Sequence, residues 1–404
     1  MFALAHRLPP HRSPTTGHTR LAILATHPIQ YFTPWFRHLA TIFDLEVLYA
    51  HRQDARGQGA AGFGVDFEWD VPLLEGYRYR FLKNVSSSPG LQSFGGCDTP
   101  ELYDLVRPEN YDALLVLGWN KKSFVQGIRA AWRNKVPVLA RGDSQLPTER
   151  SWLKRALKFP LYRWFLPRVD AHLYVGRRNR EYLEYYGVQD RQLFFSPHFV
   201  DNEFFASRAE QARNSGAART IREQFGIPPD ACLALFVGKF IPQKHPEDFL
   251  LASLRVTKMR KHFHALLVGD GPLRKELEAL ASDDSERIHF AGFHNQSKLP
   301  AFYAAANILV LPGDETWGLV VNEAMACGLP AIVSDAAGCA SDLIDVDLTG
   351  ATFPLADIAA FANRLINFRG GDGDALRRKC ESYSMQRATE GLERALGTVL
   401  AHKG

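Results

Sequence analysis

The stretch ANILVLPGDETWGLVVNEAMACGLPAIVS, Ala306 to Ser334, decides how the chain is read. It opens on the apolar run ANILVLP (Ala306 to Pro312), crosses a short acidic loop and closes on a second apolar run, PAIVS (Pro330 to Ser334). Between them Gly318 and Gly328 bracket a segment of helical length, and Pro330 opens the next strand. Strand, helix and strand in quick succession make the crossover unit of a parallel sheet.

The same rhythm extends in both directions. Towards the N-terminus of this half it repeats in CLALFVG (Cys232 to Gly238), HALLVG (His264 to Gly269) and IHFAG (Ile288 to Gly292). In the first half it runs through LAILAT (Leu21 to Thr26), LEVLYA (Leu45 to Ala50), ALLVLG (Ala113 to Gly118), VPVLAR (Val136 to Arg141) and AHLYVG (Ala171 to Gly176). Such continuous apolar runs belong to strands covered on both faces. Between the halves, SRAEQARNSGAARTIREQFGIPP is polar and small and reads as a linker with one short helix. With 404 residues, the chain exceeds what one core of about 250 residues serves. The expected architecture is therefore α/β, with two Rossmann-like doubly wound domains in tandem. The expected boundaries are a loose, disordered tail over 1–18, an N-terminal domain over 19–205, a linker over 206–226, a C-terminal domain over 227–376 and a helical segment over 377–404 that packs back on the N-terminal domain.

Composition narrows the function. A net charge of +4 is small for this length and argues against a protein that grips nucleic acid over a large surface. Five scattered cysteines without CxxC spacing indicate neither a disulfide framework nor zinc, which suits a reducing cytoplasm. No run of about 18 apolar residues occurs, so no spanning helix is expected and any membrane contact would be peripheral. One segment invites such contact: Arg150 to Arg168 mixes Lys154, Arg155, Lys158 and Arg163 with aromatic residues and carries no acid, which suits an anionic membrane surface as well as it suits a packed helix with a wet basic face. Pro160 is expected to interrupt a long helix there.

The chemistry concentrates around Gly318. A glycine opening a helix lets unpaired N–H groups approach an anion, and the aligned peptide dipoles favour phosphate at that end. A diphosphate would sit on Gly318 and Leu319. Glu323, one to two turns inside the helix, could accept from ribose hydroxyls while Glu315, in the loop before it, addresses a sugar on the far side. Asp345-Val346-Asp347 falls late and reads as a solvated turn rather than a metal site, since hard cations need several convergent oxygens. GDGP, Gly269 to Pro272, reads as a structural turn into a helix.

The segment Asp314 to Ser334 resembles the E-x7-E motif of glycosyltransferase family 4, a retaining group with the GT-B fold. VGKFIPQKHPEDFLLA (Val237 to Ala252), LLVGDGPLRKELEALA (Leu266 to Ala281) and IHFAGF (Ile288 to Phe293) follow the family's order and spacing. The resemblance covers roughly Leu233 to Ile344. It implies that Lys244 contacts the donor diphosphate and that Lys239 stands where most members have arginine. It implies a donor site of Gly238, Lys239, Lys244, Phe293, Glu315, Gly318, Leu319, Val320 and Glu323, with Lys244, Glu315 and Lys239 at the reaction centre. It also implies retention on the front face of the sugar without metal or other cofactor.

On the acceptor side the resemblance is looser. His27, Gln30 and Tyr31, in the HPIQY segment after the first strand, would reach the cleft, as would Arg141 and Asp143 of RGDS and His198 of SPHFVDNEFF. Trp119 and Asn120 occupy the place where several family members carry a histidine. The implied partners are a nucleotide diphosphate sugar, uridine favoured over guanosine, and a glycan or lipid-linked acceptor of bacterial surface polysaccharide or glycolipid synthesis. A nucleotide-sugar epimerase of the same fold and a binding protein without catalysis remain the alternatives.

Overall fold

The computed structural model describes residues 18–146 and 152–401. Apart from His18, the tail expected over 1–18 lies outside the described residues, as do Arg150 and Ser151. Two parallel sheets organise the chain. The first holds β1 (Arg20–Ala25), β2 (Asp44–Tyr49), β3 (Arg78–Phe81), β4 (Ala113–Val116), β5 (Val138–Gly142), β6 (Ala171–Tyr174) and β7 (Leu193–Phe195), in the spatial order β3-β2-β1-β4-β5-β6-β7. The second holds β8 (Cys232–Val237), β9 (Phe263–Val268), β10 (Ile288–Gly292), β11 (Ile308–Leu311), β12 (Ala331–Ser334) and β13 (Gly350–Phe353), in the order β10-β9-β8-β11-β12-β13.

Every strand that the apolar runs marked is present. The three that they did not mark, β3, β7 and β13, all flank a run-marked strand at or next to a sheet edge. Of these three edge strands, β3, RYRF, alternates charge with aromatics, and β7 has only three residues. They therefore lack the continuous apolar signal of the covered centre.

Strand order reverses direction between β1 and β4 in one sheet and between β8 and β11 in the other. Loops leaving neighbouring strands at such a point diverge to opposite faces and leave a crevice at their carboxyl ends. The loops after β1, β8 and β11 carry HPIQY, the two lysines and the glutamate-glycine segment respectively. Topology thus brings the marked motifs to one cleft.

The stretch read as a linker is helical. Asp201 caps the helix Asn202–Asn214 by accepting from Phe204 N–H at 3.0 Å, and that helix buries Phe205, Ala209 and Ala212. Phe205 and Ala209 join the core beneath β8 and β11. Gly216, at φ +83°, turns the chain into a second helix, Ala217–Gln224. Small polar residues hid this because only one face of each helix is apolar. The final helix, Met385–Ala401, lies on the first sheet: Ala388, Leu392, Ala395 and Leu396 pack with Leu21, Ile23 and Trp35, and Trp35 Nε1 donates to Thr389 Oγ1 at 3.0 Å. Gly391 permits the approach, since a Cβ there would lie 2.0 Å from the Phe195 carbonyl.

Helix Trp152–Phe165 runs through Pro160 without a break, contrary to the expected interruption. Within it Leu161 and Trp164 are exposed, and Lys158 sits 4.2 Å from the Tyr162 ring centre. Among the described residues no helix is long and apolar enough to cross a membrane.

Candidate functional site

A cavity of about 510 Å³ lies between the carboxyl ends of the two sheets. From the second half it is lined by Gly238, Lys239, Lys244, Phe293, Glu315, Gly318, Leu319, Val320 and Glu323. Every donor-side candidate therefore faces one space. From the first half His27, Gln30, Tyr31, Asp143 and His198 join them.

The local folding explains the wall. Helix Leu319–Ala326 has Gly318 as its N-cap at φ +113°, a left-handed backbone that side chains rarely adopt. A Cβ at Gly318 would also lie 2.5 Å from Leu311 Cδ2. The helix start is thus pressed onto the end of β11, and its first residues, Gly318, Leu319 and Val320, whose N–H groups have no intrahelical acceptor, line the cavity. Gly313 and Gly269 serve the same closeness. A Cβ on Gly313 would meet the Gln243 carbonyl at 2.5 Å, and one on Gly269 would meet the Gly238 carbonyl at 1.8 Å. Gly269, the first residue of GDGP, also forms part of the lining.

Against this wall Lys244 Nζ pairs with Glu315 Oε2 at 2.6 Å. Glu315 Oε1 is buried without a hydrogen-bond partner among the described residues. Lys239 Nζ lies 4.4 Å from the centre of the Phe63 ring, and its pKa is lowered by burial and then by Lys244, with Glu315 opposing. Two ammonium groups and a helix N-terminus converge on one spot, a field suited to a diphosphate.

Glu323 differs from the expectation. It is 2% exposed, and its two oxygens are already engaged: Tyr31 Oη donates to Oε1 at 2.6 Å and Tyr303 Oη to Oε2 at 2.5 Å. Burial pushes its pKa up to about 7, against the two phenols and Lys244. A carboxylate oxygen keeps a second lone pair, so ribose would share Glu323 with Tyr31 rather than find it open.

The acceptor-side candidates divide. Asp143 Oδ2 accepts from Thr316 Oγ1 at 2.8 Å, and Gln145 Nε2 donates to the Glu315 carbonyl at 3.1 Å, so the RGDS strap is tied directly to the glutamate loop. His198 packs on Trp317 at 5.5 Å between ring centres, its pKa held well below the usual value by burial and then by Arg141. Burial likewise lowers the His27 pKa to about 4. Both imidazoles are neutral at pH 7.

Three candidates do not line the cavity. Arg141 is 2% exposed, donates to the Ser196 and Pro197 carbonyls at 3.3 and 2.7 Å, and is ringed by Phe32, Trp35 and Phe199. It holds the segment that carries His198. Trp119 turns inward after Gly118 at φ +129° and stacks on Tyr182, while Asn120 faces solvent. Arg141 lies within the end of β5, and Trp119 and Asn120 follow β4, where ligand residues often stand, but the chain direction at each strand end aims them elsewhere.

Other lining residues went unmarked: Phe63 and Trp69 from the long loop between β2 and β3, and His294, Gln296 and Leu299 after β10. Phe63, Phe67 and Trp69 form an aromatic cluster with Phe293 of the second half, with Phe67 and Phe293 centred 4.5 Å apart. The signal available was three large aromatics in the glycine-containing loop GFGVDFEW, where no strand or helix pattern asks for them. The exposed turn Asp345 to Asp347 is not part of this lining, and among the described residues no group of three His, Cys, Asp or Glu side chains converges as a metal site.

Residues 217–387 match the family model described as glycosyl transferases group 1. A D-inositol 3-phosphate glycosyltransferase of Thermomonospora curvata is 31% identical over 256 residues, which cover 59% of this chain and 57% of that protein. The chain thus spans little more than half the length of that curated relative. Two solved structures align along almost the whole chain. HepE of Anabaena, in complex with UDP-glucose, has a TM-score of 0.66 at 15% identity, covering 94% of this chain and 100% of that one. A trehalose 6-phosphate synthase from Burkholderia multivorans has a TM-score of 0.72 at 12% identity, covering 96% and 98%. The fold is GT-B: two parallel α/β domains facing across a cleft.

Proposed function

We propose that the chain is a retaining glycosyltransferase of family 4 that moves a hexosyl group from a nucleotide diphosphate donor to a glycan or lipid-linked acceptor. The observation that carries the reading is the convergence of Lys239, Lys244 and the Gly318 helix start beside Glu315, whose second oxygen has no partner among the described residues. The cations and peptide dipoles would stabilise charge on the diphosphate as the glycosidic bond breaks, the kind of term that dominates such transfers. In this reading they act in place of a metal. Glu315 Oε1 would accept from a sugar hydroxyl, and the departing phosphate oxygen would take the acceptor proton, so that no protein base is needed.

The division of labour follows: donor on residues 227–376 and acceptor on residues 19–205. Uridine is the favoured nucleoside, consistent with the UDP-glucose held by the similar HepE, and guanosine is the alternative. An acceptor of surface polysaccharide or glycolipid synthesis, and a peripheral position on the inner face of the membrane through residues 150–168, belong to the same proposal. Retention of the protein on anionic liposomes at low salt, lost at high salt, tests the latter.

The central test is incubation with nucleotide sugars alone and then with candidate acceptors. A glycosylated acceptor with free nucleoside diphosphate supports the reading. An epimerised donor without acceptor would instead assign the epimerase, and binding without turnover would reduce the chain to a nucleotide-sugar receptor.

A further inference from the structure

Among the described residues, the first half contributes no lysine or arginine to the cavity lining. Lys239 and Lys244, the two ammonium groups that line it, both stand on the second half. Burial holds His27 and His198 neutral at pH 7. Asp143 is then the one carboxylate that the described residues of the first half present there. The loop between β2 and β3 adds to this sign of charge: from Arg56 to Arg78 no lysine or arginine intervenes, whereas Asp66, Glu68, Asp70 and Glu75 do. That loop is fixed against the second half, since Asn295 Nδ2 donates to the Glu68 carbonyl at 2.6 Å and Ser297 N–H to Asp70 Oδ1 at 3.1 Å.

In place of cations the first half offers rings and amides. Phe63 and Trp69 both line the cavity, their ring centres 6.1 Å apart and their planes 86° apart, which gives the slot two apolar faces at right angles. Gln30 and Gln58 are 8% and 9% exposed, and Gln53 Oε1 is buried without a hydrogen-bond partner among the described residues. Each of these amides carries a donor and an acceptor, as a hydroxyl does. His198 Nε2 is also buried without a hydrogen-bond partner among the described residues, 3.9 Å from Asp143 Oδ2. One hydroxyl can close that gap, because it donates and accepts at once. A phosphate dianion has no proton to give Asp143.

We infer that the sugar receiving the transferred group is an uncharged pyranose rather than a phosphorylated one, seated among Phe63, Trp69 and the three glutamines. This rests on the transferase reading above and names the class of its acceptor. A pyranose has apolar C–H faces edged by hydroxyls, and a pocket of aromatic walls with a few placed polar groups matches it. A donor diphosphate on the second half occupies both lysines. A second phosphate on the first half would meet that anion and Asp143 without a cation of its own, and such like-charge placement rejects a ligand strongly.

The test is saturation-transfer NMR on the full chain loaded with UDP or GDP, whichever it binds. The probes are the methyl glycosides of glucose, galactose and mannose, each beside the same glycoside phosphorylated on its primary hydroxyl. At least one neutral glycoside should bind, and at least about tenfold more tightly than its phosphate. Trp69→Ala, shown to be folded by circular dichroism, should weaken that glycoside roughly tenfold, the effect of removing an aromatic anchor. Gln53→Lys, checked in the same way, places a cation in the slot and should bring the phosphate level with the neutral sugar or ahead of it. A phosphate bound by wild type as tightly as its neutral counterpart, no neutral glycoside bound, or two folded variants that bind as wild type does would each overturn the inference while the nucleotide site stands. If wild type binds neither nucleotide, the transferase reading fails and this one with it.

Discussion

The Tyr31 phenol, on the loop after the first strand, donates at 2.6 Å to Oε1 of Glu323, 292 residues later, so that the central carboxylate of one half is held by the other. The contact couples the positions of the two sheets to the charge state of one buried acid.

Removing that donor should matter most when the acid is ionised. Tyr31→Phe takes away a hydrogen bond that lowers the Glu323 pKa, and hydrogen bonds to charged groups contribute about 1.5–3 kcal/mol. Urea unfolding should show a loss of this order at pH 8.5 and a smaller one at pH 5.5. An equal loss at both pH values would contradict the charge coupling.

Glu323 carries its own pH signature. Its folded pKa is raised to about 7 from 4.5, so folding favours the protonated form. Stability tied to that proton is complete below about pH 4.5 and lost as pH rises through 7, on the order of 3 kcal/mol in all. Glu323→Gln lacks this proton. The stability of wild type relative to the variant should therefore fall across that window in denaturant titrations, and a difference that does not vary with pH would refute the burial argument.

Lys244 and Glu315 should be needed for chemistry rather than for folding. Each is only partly buried, and removal of either leaves the surrounding core untouched. Lys244→Ala and Glu315→Ala should each lower sugar transfer by roughly 100-fold or more, with circular dichroism spectra like wild type. Undiminished turnover in both would reject the assignment.

Gly318→Ala combines two costs. The φ of +113° disfavours a side chain, and Leu311 Cδ2 occupies the space. A loss of about 1–3 kcal/mol is expected from the backbone alone, together with weaker nucleotide diphosphate binding as the helix start moves. Thermal melts with and without UDP would read both, because a ligand bound by the folded state raises its stability.

Legibility varied with the physics of each element. Central strands, covered on both faces, announced themselves as apolar runs, whereas β3 and β13 at the sheet edges, and β7, did not. The donor corner was readable because its residues sit within two loops after neighbouring strands, and strand order alone brings those loops together. Arg141, within the end of β5, and Trp119, after β4, also stand at strand ends, and for them position in sequence misled. The Ser196 and Pro197 carbonyls draw Arg141 inward, and Gly118 turns Trp119 into the core.

From the sequence alone came the two-sheet α/β plan and the helix opened by Gly318, which depend on periodicity and local backbone preference within some tens of residues, whereas Lys239 and Lys244 were marked by the family resemblance of their segment. Only the tertiary structure decided that Tyr31 and Tyr303 share Glu323, that the aromatic loop around Phe63 roofs the cavity, and that Gln296 is sealed into its far end. Apart from the Tyr303 contact, which spans 20 residues, those contacts join segments more than two hundred residues apart. They are set by how two independently patterned sheets dock, a relation between surfaces that no local spacing encodes.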